Sequence, residues 1–196
     1  MGSTKTKEMP AMELHQAIYE RRAVREYGPA AIDTDVLNRL IDAAIQAPTA
    51  LNQQPWTFTV VRDQRKLDAL SSQAKVHMLA EHGELARSAH FLMLSDPHFQ
   101  IFYHAPVLIL ISATAALPWC VEDCALAAQN LMLTAYAEGL GSCWIGFAQE
   151  YLNTPSGKAL LRLPPSCIPV APIIVGLGRG PAQPVARKKA DVSWIG

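Results

Sequence analysis

From Ala47 to Trp56 the chain reads Ala-Pro-Thr-Ala-Leu-Asn-Gln-Gln-Pro-Trp. Pro48 and Pro55 fix their own backbone angles, restrict the residues before them and lack N–H donors, so little helix or ladder strand can form between them. The segment must therefore end a helix on one side and start a strand on the other. Thr49, Asn52, Gln53 and Gln54 fill it with neutral donors and acceptors. A rigid loop of this kind, followed by Trp56 and the apolar run Phe58-Thr59-Val60-Val61, suits the edge of a flat heteroaromatic ligand. It equally suits a braced helix-to-strand connection with ordinary turn residues.

Upstream, Leu14, Ala17, Ile18 and the stem of Arg21 recur at helical spacing and predict an amphipathic helix over residues 12–22. Asp33 or Thr34 can cap a second helix that carries Leu37, Leu40, Ile41, Ala44 and Ile45 inward until Pro48. A third is expected over 64–80 through Leu67, Leu70 and Ala74. Residues 81–104 have no clean period and read as a mobile cover over a site. The Val107–Ile111 run is a strand buried on both faces. The next helix, over 122–138, is apolar around nearly its whole cylinder and ends at Gly139, which suits a core or a subunit interface. Strands over 142–147 and 168–175 flank a short helix near 156–163, and 176–196 form a Gly-, Pro- and base-rich tail that a partner subunit could order. Helices and strands mix without regular βαβ alternation. The expected class is α+β with a central mixed sheet flanked by helices, as one domain over 12–196 behind a flexible arm at 1–11.

Composition narrows function by exclusion. The 17 basic and 17 acidic residues balance, which gives no electrostatic case for nucleic acid or an anionic membrane. The longest apolar stretch is too short to span a bilayer, and no signal peptide opens the chain, so the expected location is cytoplasmic. Cys120, Cys124, Cys143 and Cys167 lack the second pair or the histidines of a zinc site and read as free buried thiols. No metal site is expected. G-x-S-x-G and P-loop patterns are missing, as is a G-x-G-x-x-G cradle after a first strand. Arg21, Arg22 and Arg25 cluster at the predicted end of the first helix. They suit either a phosphate monoester or a solvated helix end beside the macrodipole. Arg187, Lys188 and Lys189 form a second basic group in the tail.

Four blocks occur in one order: Arg-Arg-x-Val-Arg-x-Tyr from Arg21, Ala-Pro-Thr-x-x-Asn-x-Gln-Pro-Trp from Ala47, Gly-Leu-Gly-Ser-Cys-Trp-Ile-Gly from Gly139, and the basic tail after Val175-Gly176. Together they resemble the FMN-dependent nitroreductase family from about Leu14 onward. The resemblance implies an α+β homodimer with a domain-swapped C-terminal tail and one FMN per subunit at the dimer interface. By position it implies that Arg21, Arg22 and Arg25 hold the ribityl phosphate beside Ala23, where the family often has a serine hydroxyl. Pro48, Thr49, Ala50, Asn52 and Gln54 would line the flavin, partly from the partner subunit. Trp144, Ile145 and Gly146 would lie against the ring face with backbone N–H groups toward N5. Arg187 would close on the phosphate, with Lys188 and Lys189 as neighbours. Lys75 stands as either a charge near flavin N1 or a solvated lysine.

The implied activity is a ping-pong oxidoreductase that moves a hydride from NAD(P)H through flavin N5 to a small planar acceptor such as a nitroaromatic or quinone. No catalytic side chain is implied, because the cofactor carries the chemistry. The alternatives are another reaction on the same scaffold (enone reduction, reductive dehalogenation or azoline oxidation) and a non-catalytic flavin-binding redox sensor. A cysteine-based redox or metal protein built on Cys120 and Cys124 is the competing class.

Overall fold

In the computed structural model, residues 12–82, 91–180 and 183–196 are described. The expected arm at 1–11, and residues 83–90 of the unpatterned stretch, lie outside them. Helices α1 (Leu14–Glu20), α2 (Thr34–Ala44) and α3 (Gln64–Glu81) precede the long α4 (Cys120–Ala137), and the short α5 (Gln149–Asn153) and α6 (Pro155–Leu160) follow it. Strands β1 (Trp56–Val61), β2 (Val107–Ala113), β3 (Gly141–Trp144) and β4 (Ile168–Gly176) form one sheet in the order β1-β2-β4-β3.

The α+β class holds, with one difference in the sheet. Every pairing between these strands is antiparallel, and parallel geometry is confined to the single bridge Ala23–Ser142. A bulge at Ile111/Ser112 lets β4 carry Pro169 and Pro172 through a central position.

β2 explains the three-layer packing. Val107, Ile109, Ile111 and Ala113 point into the layer with α2 and α4, where Leu37, Leu40, Ala127, Ala128 and Leu131 meet them. Leu108 and Leu110 point the other way, against Leu67, Leu70, Ala74, Phe102 and Leu152. A strand covered on both faces has no polar side to alternate with, hence its unbroken apolar sequence. α4 ends as the glycine signal predicts. Gly139 takes φ 75°, its N–H donates to Tyr136 O at 3.0 Å, and Leu140 N–H donates to Ala135 O at 2.8 Å. That pair of bonds is a Schellman cap.

Three local expectations are corrected. α1 stops at Glu20 instead of running to residue 22, and the chain beyond it is extended, held by Val24 N–H on Ser142 O at 3.0 Å and by the Tyr27–Gly178 bridge. α1 buries only Ala17, while Leu14 and Ile18 are 63% and 50% exposed, so most of its apolar face stays open among the described residues. Residues 91–104 are not a loose cover, because Leu94, Ile101 and Phe102 sit in the core. Lys75 Nζ pins this segment to α3 by donating to Asp96 O and Phe99 O at 2.8 and 2.7 Å, which turns its ammonium toward these carbonyls.

Candidate functional site

The extended segment 21–28 puts the arginines in place. Backbone alternation sends Arg21, Ala23 and Arg25 to one side and Arg22 to the other. The segment can ride close over the sheet because Gly141 and Gly176 are paired beneath it. A Cβ on Gly141 would stand 2.7 Å from Val24, and one on Gly176 would stand 2.7 Å from Tyr27. These contacts account for the glycine in Gly-Leu-Gly-Ser-Cys-Trp.

Arg22 is partly engaged by backbone carbonyls, while its Nε is buried without a partner among the described residues. Its Nη1 donates to Tyr19 O and Arg21 O at 2.6 and 2.8 Å, closing the carboxyl end of α1, and it faces a separate cavity beside Tyr136. The helix that would have set Arg21 and Arg25 on one face does not continue; extended backbone sets them on one side instead, with Arg22 turned toward the other. Arg21 lies instead within Coulombic range of Arg187 from the tail. Burial lowers its pKa, and Arg22 and Arg187 add to that effect. Arg25 stands 6.0 Å from the ring centroid of Tyr103. Among the described residues, none of Arg21, Arg25 or Arg187 pairs with a carboxylate.

Beside this cluster is a cavity of about 320 Å³ bounded by Arg25, Tyr103, Cys143, Trp144, Ile145 and Gly146, with Met78, Phe147 and Glu150 completing it. Its size falls within the range of small-molecule sites. Ile145 N–H is spent on Pro172 O at 2.8 Å. At Gly146 nothing lies within 4 Å of where a Cβ would be, and its φ is not in the left-handed region. Neither packing among the described residues nor backbone conformation thus calls for glycine there, and Gly146 borders both this cavity and another lined by His77, His82 and Gln149. Burial raises the pKa of the Tyr103 phenol and of the Cys143 thiol, while Arg25 and Arg21 pull the thiol the other way. Both groups are neutral at physiological pH. Sequence reading missed Tyr103, Met78, Phe147 and Glu150, which reach the cavity through long-range packing that no local motif announces.

The proline-braced loop lies elsewhere. Three non-glycine residues in it are left-handed: Leu51, Asn52 and Gln54, with φ of 52°, 53° and 48°. Thr49 Oγ1 accepts Gln54 N–H at 3.1 Å, Gln54 Nε2 donates to Asn52 Oδ1 at 2.9 Å, and Ala50 N–H donates to Asp123 Oδ1 at 3.0 Å. The loop is thus held stiff from within and from α4. Pro48 and Thr49 precede this turn, and it leads into β1, at the sheet edge opposite β3. Three inter-strand steps separate the two edges, about 14 Å. Within one chain, then, the structure gathers Arg21, Arg25, Arg187 and Trp144–Gly146 and leaves Pro48–Gln54 apart.

The cavity fits the cofactor that the sequence resemblance implies. Guanidinium groups that no carboxylate pairs with among the described residues suit a phosphate dianion, and the Trp144–Gly146 wall suits a planar ring. The competing cysteine reading finds no support. All four cysteines are free and buried, and burial, with Cys120, Asp123 and Cys167 nearby, pushes the Cys124 thiol up to about 12. Among the described residues no group of three His, Cys, Asp or Glu is placed to hold a metal, and no helix is long and apolar enough to cross a membrane.

Comparison with known proteins bears on the family and the fold. A protein of Methanothermobacter thermautotrophicus with the provisional name NADH dehydrogenase/NAD(P)H nitroreductase is 27% identical over 189 residues, covering 94% of this chain and 86% of its own. The crystal structure of a Bacteroides fragilis nitroreductase with bound FMN superposes with a TM-score of 0.73 at 28% identity, over 93% of this chain and 95% of that one. An iodotyrosine deiodinase bound to FMN and 3-iodo-L-tyrosine shares the fold at a TM-score of 0.76 and 22% identity, over 93% and 98% of the two chains. The nitroreductase family model matches residues 18–178, most of the chain and all of the first three sequence blocks, and the chain therefore belongs to the nitroreductase family.

Proposed function

We propose that this chain is an FMN-dependent oxidoreductase that passes a hydride from NAD(P)H to a small planar acceptor, such as a nitroaromatic or a quinone, in a ping-pong cycle. The observation that carries the reading is the open space at Gly146 beside arginines that, among the described residues, no carboxylate pairs with. FMN bound there supplies the two-electron carrier. Arg21 and Arg187 hold its phosphate, and Arg25 sits nearer the ring, steadied by Tyr103. Trp144, Ile145 and Gly146 form the ring wall, where Gly146 lets the acceptor side approach closely. No side chain is assigned an acid–base role.

The second wall comes from another copy of the chain. Pro48, Thr49, Ala50, Asn52 and Gln54 are too far from Gly146 to serve the same ring within one chain. They are stiff and rich in uncharged donors and acceptors, as a ring edge requires. A cytoplasmic homodimer with two interfacial FMN sites, its tails crossing between subunits, satisfies both halves. Tail residues Trp194 and Ile195, 92% and 99% exposed, favour that arrangement.

The test is direct. The purified protein is expected to be yellow, to bleach anaerobically with NADH or NADPH, and to regain colour with a nitroarene. Flavin that stays oxidised with both nucleotides removes the pyridine-nucleotide half of the reading. Reductive dehalogenation is the second reading, favoured by the likeness to the deiodinase. Halide release from a halophenol by the reduced protein, without nitroarene turnover, would replace the first reading with it.

A further inference from the structure

A second and larger cavity, about 560 Å³, shares the Arg25–Tyr103 wall with the ring cavity. Arg179, His98, His104 and Phe99 line its other sides. Glu26 is the one carboxylate residue on its walls, against two arginines and two imidazoles. Guanidinium forks and imidazole N–H groups recognise a carboxylate or phosphate. Phe99 and Tyr103, edge to face at 5.5 Å between centroids, add an aromatic surface next to those donors.

The wall is built to hold its shape. Tyr103 and His104 are consecutive left-handed residues, with φ of 53° and 54°, in a chain position that contains no glycine. Such strain persists only where the surroundings fix it. Here Ile101 and Phe102, both fully buried, anchor the turn, Ile101 N–H donates to the Ser71 hydroxyl at 3.0 Å, and Tyr103 N–H donates to Gln100 O at 2.9 Å. The turn buries two side chains and presents the next two to the cavity. The Arg179 backbone is tied beside Arg25 and Glu26 by its N–H on Glu26 O at 2.9 Å.

We propose that this cavity takes the anionic group of an aromatic-acid acceptor, the carboxylate meeting Arg179 and His104 while the ring passes Tyr103 toward the Gly146 wall. The inference rests on the reading of the ring cavity as the flavin site. It narrows the acceptor from any planar oxidant to one that carries a negative charge.

The experiment has two arms on the purified holoprotein. Calorimetric titration with benzoate reads the anion site without turnover. Binding is expected, weakened about tenfold or more by Arg179→Ala and partly restored in Arg179→Lys, as loss of a charge-assisted contact predicts. In steady state, the ratio of kcat/KM for 4-nitrobenzoate to that for nitrobenzene is expected to fall about tenfold in Arg179→Ala. Benzoate that does not bind, or a ratio indifferent to Arg179, overturns the proposal. Binding of AMP that depends on Arg179, where benzoate does not bind, also overturns it, because the cavity would then serve the adenylate end of the reductant. If neither nitro compound is reduced, the proposed activity fails, and the benzoate titration still decides the anion site.

Discussion

Gly146 and Asp123 show what single residues contribute, one at the edge of the cavity and one beneath the proline-braced loop. Asp123 is 3% exposed, and one carboxylate oxygen holds Ala50 N–H while the other, Oδ2, is buried without a partner. A half-satisfied buried carboxylate adds little net stability, yet it fixes the start of a turn whose three left-handed residues each cost about 1 kcal/mol. Gly146 is the converse, a residue whose missing side chain is what matters. A Cβ there meets no protein atom, so Gly146→Val is expected to leave the thermal midpoint of the flavin-free protein within about 2 °C. The same change should weaken FMN binding by a factor of 10 or more, because the added methyl groups enter the ring's place; that factor corresponds to about 1.4 kcal/mol. Flavin fluorescence quenching on titration of the apoprotein measures it. Equal affinity in the two proteins would move the ring away from this wall.

Among the elements, the middle of α2 is tied to the carboxyl end of α4 by one forked ion pair, Arg39 Nε donating to Glu138 Oε1 and Nη2 to Oε2, both at 2.8 Å. The hydrogen bonds from Arg39 hold the Glu138 carboxyl below its usual value of 4.5. A depressed carboxylate stabilises the fold fully above its unfolded-state pKa and loses that contribution as pH falls through the folded one. The destabilisation caused by Arg39→Gln should therefore be constant near neutrality and shrink below about pH 4.5, reaching nothing once Glu138 is protonated. The effect is small, as exposed pairs are, and thermal melts of both proteins across that range would detect it. A gap that persists in acid would assign Arg39 a packing role instead. What could be read in advance at this scale was whatever depends on local periodicity. Leu37, Leu40 and Ala44 mark the inner face of α2, the unbroken Val107–Ala113 run marks a strand covered on both sides, and Gly139 marks the end of α4. What could not be read depends on distant partners. Nothing local stops α1 before Arg21; Ser142, more than a hundred residues away, draws Ala23 and Val24 into extended backbone. Residues 91–104 lack a period because turns and a short 3₁₀ segment, not a helix or strand, carry Ile101 and Phe102 into the core. The four sequence blocks supplied candidate components of a site, but the strand order β1-β2-β4-β3 decides which of them one chain can bring together.

For the molecule as a whole, the unresolved demand is apolar surface. Leu14 and Ile18 on α1, Val121 and Leu126 on α4, and Trp119 just before α4 are each between 46% and 63% exposed. α1 is bound to α4 through the Tyr136 hydroxyl on Glu20 at 2.9 Å, so the two helices present their open faces as one unit. The tail adds Val185, Val192, Trp194 and Ile195, exposed by 51% to 99%. Covering Trp194 alone removes roughly 200 Å² from water, worth about 5 kcal/mol before the cost of ordering the tail. A second copy of the chain can answer this demand and the split site together, since it offers both an apolar helix face and the missing amide loop. Removing residues 183–196 should then raise the dimer dissociation constant by about two orders of magnitude, equivalent to about 2.7 kcal/mol. Because Arg187 goes with the tail, FMN retention should fall in parallel. Light scattering over a dilution series reports the first effect and the 450 nm flavin band reports the second. Trp194→Ser with Ile195→Ser separates the two, since it keeps Arg187: it should loosen the dimer, and flavin should be lost only at dilutions where monomers form. A full-length protein that stays monomeric at tens of micromolar and still retains FMN would show that one chain completes the site alone, and the Pro48–Gln54 loop would then need another explanation.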